Sequence, residues 1–276
     1  MANLYYLDFY ESVYEDLESS IDEQQEEFAT FGQDRRHSVI LRTKLSVRVH
    51  ACIEKLYNTR GRELRRALFS LKQIFQDDEE LVHEFVARDG LTCLVKVGGE
   101  ADQNYQNYIL RALGQIMIYV DGMNRVAEHI DTLKWLYSLL ASRGLVLNNC
   151  SFKKVQFRSQ ENHLFRLVVK TTLKLLVVFV EFSDANCAKL LEAIQAIDEA
   201  QGHKLFFNVM KVLDEQDGID SELLVFAMTL INKTMYGIPD QDTFYDVADA
   251  LEMQNIDKIQ ERYRSKKGLD KKGGRM

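Results

Sequence analysis

Residues 165–182 read FRLVVKTTLKLLVVFVEF, the most apolar segment of a 276-residue chain. Arg166, Lys170, Lys174 and Glu181 interrupt it, and its longest uncharged run covers only 175–180. A membrane span needs about 20 predominantly apolar residues, so none is expected here. In water, a helix that is apolar on nearly every side must be covered on nearly every side. The segment therefore belongs between other helices, and any face left uncovered is a candidate binding surface.

Outward from this segment the composition supports the same reading. Hydrophobic residues make up 46% of the chain, enough for a sizeable core. One proline and 14 glycines leave few helix breakers, which favours helices over a sandwich or barrel. A net charge of −7 argues against nucleic-acid binding, which needs a basic surface to neutralise phosphates. No apolar run follows Met1, so no secretory signal is read and a cytoplasmic location is expected. Cys52, Cys93, Cys150 and Cys187 form no C-x-x-C pair and read as free thiols. The sequons at Asn149 and Asn232 then carry no meaning.

Along the chain, residues 1–37 are acidic, and Val13, Leu17, Ile21 and Phe28 suggest a leader helix or linker. From Ser38 the spacing of Leu41, Leu45, Val49, Cys52 and Leu56 marks one helical stripe, repeated by Leu64, Leu68, Leu71 and Phe75. Short helices precede Gly90, read as a left-handed cap, and Gly98-Gly99. Tyr105, Ile109, Ala112, Ile116 and Val120 predict a long helix closed by Asp121-Gly122, and Trp135 sits in the next one. Residues 143–163 show no clear period and read as an insertion loop. Ser183 is a natural N-cap for a helix over 184–200, which Gly202 ends. Helices follow around Val209, at 223–234, and after Asp240 or Asp242. The tail 265–276 is basic and glycine-rich and is expected to be disordered.

The long apolar helices centre near Leu68, Leu113, Leu173 and Leu224. With the insertion set aside, they recur close to the roughly 40–47 residues of armadillo and HEAT units. The expected fold is all-α, an armadillo-repeat-like right-handed superhelix over 38–264 with a concave groove; an irregular helical bundle is the alternative.

No catalytic constellation is visible. The histidines lie in different elements with no H-E-x-x-H pair. The string DEQDGID at 214–220 lacks the alternating acids and the glutamate of an EF-hand loop. Phosphate-loop, nucleophile-elbow and dinucleotide fingerprints are missing too. No enzyme activity, metal or cofactor is expected. A superhelix of this kind takes an extended peptide or amphipathic helix in its groove. Val169, Thr172, Leu173 and Leu176 share one face of the central helix and are its candidate lining. The acids Asp240, Asp242, Asp246 and Asp249 could steer a basic partner, or simply mark a charged helix start.

Longer strings carry a resemblance. ILRTKLSVRVHACIEKLYN, ELRRALFSLKQIFQDDEELVHEFV, GLTCLVKVG, ADQNYQNYILRALGQIM, YVDGMN, FRLVVKTTLKLL and INKTMYGIPDQDTFYDV are similar to the N-terminal regulatory region of the FHOD subfamily of formins, nearly continuously over 38–262. The resemblance implies an armadillo-type diaphanous inhibitory domain. Such a domain binds a C-terminal autoregulatory segment of its own formin and restrains actin assembly until a Rho-family GTPase or phosphorylation releases it. It implies a groove lined by Val169, Thr172 and Leu176, with Gly114 and Ile118 before them and Thr229 and Asn232 after. It further implies a cytoskeleton-associated protein that touches actin only indirectly. A Rho-family GTPase effector or localisation adaptor using the same groove is the alternative function, and homodimerisation is left open. The family's preceding GTPase-binding module is not recognisable here, nor are a proline-rich actin-recruiting segment and an actin-nucleating domain, so direct actin polymerisation by this chain is not expected. On this reading, Val169→Asp or Thr172→Asp abolishes partner capture and leaves the fold intact.

Overall fold

The computed structural model describes residues 12–16, 38–42, 44–141, 158–214 and 220–270. From Lys44 onward every described element is a helix. They are α1 (Leu45–Asn58), α2 (Gly61–Asp77), α3 (Glu79–Ala87), α4 (Gly90–Glu100), α5 (Gln103–Ile116), α6 (Val120–Glu128), α7 (Ile130–Leu139), α8 (Arg158–Phe182), α9 (Asp184–Ala200), α10 (Phe207–Asp214), α11 (Ser221–Tyr236), α12 (Gln241–Glu252) and α13 (Ile256–Asp270). The exception to the all-α expectation precedes them. Strands β1 (Ser12–Asp16) and β2 (Ser38–Arg42) pair in parallel, Ser12 opposite Ser38. Parallel pairing needs a connection of a dozen residues or more, and 17–37 supplies that length.

These strands correct two expectations. Val13 lies in a strand rather than a leader helix, and Leu17, Ile21 and Phe28 lie outside the described residues. Leu41 belongs to β2, so the first helical stripe starts at Leu45. Both strands are short runs with β-branched or aromatic residues, SVYED and SVILR, which fit a pleated ribbon better than a helix.

The helices stack in two ladders. In the inner one, α2 packs on α5, α5 on α8 and α8 on α11; in the outer one, α1 packs on α4, α4 on α7 and α7 on α9. The nine-residue helices α3 and α6 pack on each other and cap the ends of these pairs. Each three-helix unit thus buries one side on the unit before it and one on the unit after, the armadillo layering that the spacing predicts. Phe75, Phe85, Leu68, Leu110, Leu136, Leu173, Phe179 and Leu230 are fully buried along a single continuous core.

Sequence-local chemistry sets the helix starts. Asp102 accepts from the Asn104 and Tyr105 amides, Asp220 from those of Glu222 and Leu223, and Asp240 from that of Thr243 at 2.8 Å. Asp78 caps α3 and takes an ion pair from Arg48 at 2.8 Å, tying α1 to the next unit. Ser183 stands at the N-cap position of α9, but its hydroxyl makes no capping bond.

Other boundaries moved for packing reasons. Gly90 opens α4 instead of ending α3: a Cβ there would lie 2.3 Å from the Phe85 carbonyl. Gly98 lies inside α4, where the Trp135 ring occupies the space a side chain would need. The helix expected to run to Val120 stops at Ile116 and restarts as α6. Residues 158–163, read as part of the insertion, form the first turns of α8, and 265–270, read as tail, extend α13; 142–157 and 271–276 lie outside the described residues. Cys52, Cys93 and Cys187 are free thiols, and burial pushes Cys93 up to about 11.

A candidate docking face on the inner ladder

Helix α8 fixes the geometry of the face. Lys174 lies over the Phe226 ring of α11 at 5.0 Å, and two turns on Glu181 reaches Lys233 at 3.4 Å. The constant offset between the partners means that α8 and α11 run parallel and in register. Where the first turn of α11 meets the middle of α8, Lys170 pairs with Glu222 and stands 3.5 Å from Asp220, while Lys174 meets Glu222 at 3.0 Å. Hydrogen bonding to Glu222 holds the Lys170 ammonium pKa up, and the same bond pulls the Glu222 carboxyl down.

On the other side, α8 approaches α5 through Gly114, whose Cβ position is 3.2 Å from Leu175 Cδ2. The first rung is aromatic. Arg65 Nε donates to the Tyr108 hydroxyl at 3.2 Å, its guanidinium lies 5.6 Å from that ring's centre, and Phe69 meets the same ring edge-on.

Exposure then separates the ladders. Phe69 on α2, Ile118 just past α5, Val178 and Phe182 on α8, and Val225 and Tyr236 on α11 are large apolar side chains left in water; Ile118 is 69% exposed and Tyr236 84%. On the outer ladder only Val47 is comparable. Folded domains expose single apolar residues everywhere, but their concentration along the inner ladder makes this face a candidate interaction surface.

Charge is also uneven. Lys170, Lys174 and Lys233 have carboxylate partners, whereas Arg62, Arg65, Arg66 and Arg111, on α2 and α5, pair with none among the described residues. The face thus offers an apolar strip along α11 and toward the C-terminal ends of α5 and α8, with arginines toward α2.

The sequence-derived groove residues divide. Ile118 and Asn232 are exposed and Thr229 is half-buried on this side, in line with Val225 and Tyr236. Gly114 serves as the close-approach point of α5 on α8. Val169, Thr172 and Leu176 face the opposite way: each is at most 1% exposed, and Thr172 Oγ1 has no hydrogen-bond partner. The α8 residues that reach solvent are Lys174, Val178, Glu181 and Phe182, with Thr171 and Leu175 half-buried. The signal was legible. In a helix this apolar, Lys170, Lys174 and Glu181 must point to water, and Val178 follows Lys174 by four residues on the same side. The acidic quartet is partly structural: Asp240 is the α12 cap, its carboxyl held below the usual range by the Thr243 hydroxyl, while Asp242, Asp246 and Asp249 are exposed.

Among the described residues, no group of three His, Cys, Asp or Glu side chains could hold a metal, and no helix is long and apolar enough to cross a membrane. The architecture defines a helical-repeat domain of the armadillo class. A designed armadillo repeat protein, solved in complex with the peptide (KR)4, superposes with a TM-score of 0.50 at 17% identity, over 73% of this chain and 70% of its own. The model of the "FHOD1/3 FH3 domain" matches residues 103–153 and 155–259. The chain belongs to this family of formin regulatory domains. It is 58% identical over 261 residues to FH1/FH2 domain-containing protein 3 of Mus musculus and of Homo sapiens, and 49% identical to human FH1/FH2 domain-containing protein 1. Each alignment covers 93% of this chain, which spans 15%, 17% and 21% of those proteins respectively.

Proposed function

We propose that the chain is a non-catalytic regulatory module of a FHOD-type formin. Its inner-ladder face captures an amphipathic C-terminal segment of the same formin and thereby restrains actin filament assembly. The supporting observation is the contrast between the ladders: the inner one and the turn after α5 carry the exposed Phe69, Ile118, Val178, Phe182, Val225 and Tyr236, whereas the outer helices expose only Val47 among large apolar side chains. Burying Ile118, Val178, Val225 and Tyr236 under a partner helix contributes roughly 25 cal/mol per Å² of apolar area, reduced by the cost of ordering the segment. Groove residues on this reading are Ile118, Val178, Val225, Thr229, Asn232 and Tyr236. Val169, Thr172 and Leu176 support them from behind. Such a protein works in the cytoplasm at the actin cytoskeleton.

The test is a calorimetric titration of the chain with the C-terminal segment of its parent formin. The double variant I118D/V178D is expected to lose at least about tenfold in affinity, a change of about 1.4 kcal/mol, with an unchanged melting curve. Undiminished affinity would remove the face from the reading. A Rho-family GTPase displaced by the same double variant would instead favour the effector alternative.

A further inference from the structure

A second site lies off the ladder. A cleft of about 740 Å³ opens between the His203–Asp214 segment and the Met253–Arg262 segment, and none of its lining belongs to the four inner helices. Phe207, Met210, Met253 and Ile259 supply apolar surface within it. Lys204, Lys211, Lys258 and Arg262 supply cations beside the His203 ring, and Asp214 is the one acid among the described lining residues. Asp214 is already taken, accepting from Arg262 at 3.0 Å. Lys258 donates to the Asn255 side chain at 2.8 Å, and Lys204 and Lys211 pair with no carboxylate among the described residues. This gathering of positive charge occurs in a chain whose net charge is −7.

The walls are fixed without a ligand. Gln254 donates to the Leu205 carbonyl at 2.7 Å, and the Tyr263 hydroxyl to that of Leu213 at 2.9 Å, so both walls are tied across the cleft. The His203 ring stacks on Phe207 at 3.8 Å. Phe206 and Asn255, the non-glycine residues with positive φ among those described (65° and 61°), precede α10 and α13 on opposite walls. Backbone held in this region costs of order 1–3 kcal/mol per residue and gathers at binding sites.

We propose that this cleft binds a short phosphorylated segment of a protein. Its volume falls within the roughly 300–1,000 Å³ of ligand pockets and is far larger than a single anion needs. Its apolar floor fits a side-chain anchor beside the charge, and its lysines, left without acidic partners, fit a phosphomonoester in their midst. The site is separate from the inner-ladder face, so its failure leaves the autoregulatory reading untouched.

The probe is a fluorescein-labelled hexapeptide, Glu-Leu-phosphoserine-Glu-Phe-Glu, followed by anisotropy with the intact chain at low salt. Saturable binding is expected, weakened at least about tenfold by removing the phosphate and by about as much in K211E/K258E. Both lysines are exposed, so the variant should melt as the parent does. I118D/V178D should bind the probe normally. Equal affinity for the unphosphorylated peptide, or unchanged binding by K211E/K258E, overturns the proposal. So does complete competition by millimolar inorganic phosphate, which would mark a bare anion site. Lysine-dependent binding to vesicles containing phosphatidylinositol bisphosphate, without peptide binding, would assign the cleft to a membrane and equally overturn it.

Discussion

The two ladders are built from the same kind of helix yet treat their outer surfaces in opposite ways. The outer helices α1, α4, α7 and α9 leave only Val47 as a large exposed apolar side chain, while the inner helices carry the exposed strip from Phe69 to Tyr236. Their interiors differ too. The outer ladder contains a buried polar knot: the Tyr137 hydroxyl donates to Asp198 Oδ2 at 2.7 Å and accepts from the Asn208 amide at 3.1 Å. The inner ladder is packed mainly with aliphatic and phenylalanine side chains, and its buried polar residues Thr172 and Thr234 make no contact of that kind between helices. The outer layer thus finishes its surface, whereas the inner layer leaves apolar area unburied.

The sharpest way to break this contrast is to charge the back of the inner ladder. Val169→Asp places a carboxylate where exposure is 1%, in a core whose described buried residues include no Lys or Arg. Such a change costs several kcal/mol and should collapse the domain. Thermal denaturation that shows a native-like transition for Val169→Asp would return Val169 to the groove.

Next in size is the outer knot. Burial raises Asp198 to about 6, against hydrogen bonds from Tyr137 and the Phe207 amide that favour the charged form. Between about pH 4 and 6 the folded state holds this proton and the unfolded chain does not, so stability falls as pH rises through that window and is level above it. The loss is up to about 3 kcal/mol at 1.36 kcal/mol per pKa unit. Asp198→Asn should flatten this slope, as read by denaturant melts at pH 4.5 and 7. An unchanged slope would assign it to other groups.

How far the sequence carried the reading follows from the same contrast. The repeat was legible because long apolar stripes recur at a fixed period, and burial against two neighbours leaves that mark whatever the details. The exposed side of α8 does not follow from its apolar pattern because apolar residues occupy both its faces: Val169 and Leu176 inward, Val178 and Phe182 outward. Periodicity cannot rank two apolar faces, but the charges could, since Lys170, Lys174 and Glu181 cannot be buried unpaired. The start of the chain was misread because Val13 and Leu41 fit a helical stripe as well as a strand, and pairing between β1 and β2 is not local. The basic cleft joins residues about fifty positions apart, which no local pattern reveals.

The smallest expected effect sharpens the contrast within the inner ladder itself. On α8 and α11 the lysines are neutralised by Glu222, Asp220 and Glu181, whereas Arg66 and Arg111 on α2 and α5 are exposed without carboxylate partners. Cations in water at a rim act mainly on the rate of encounter and on salt dependence, with little effect on the final contact. R66E/R111E should therefore slow association of the C-terminal formin segment a few-fold at low salt, while dissociation and melting stay the same. The difference from the parent chain should shrink as salt shortens the screening length from about 10 Å at 0.1 M to about 3 Å at 1 M. If stopped-flow traces show faster dissociation instead, these arginines bond directly to the partner, and the docking face extends across α2 and α5 with acidic groups of the segment seated on them.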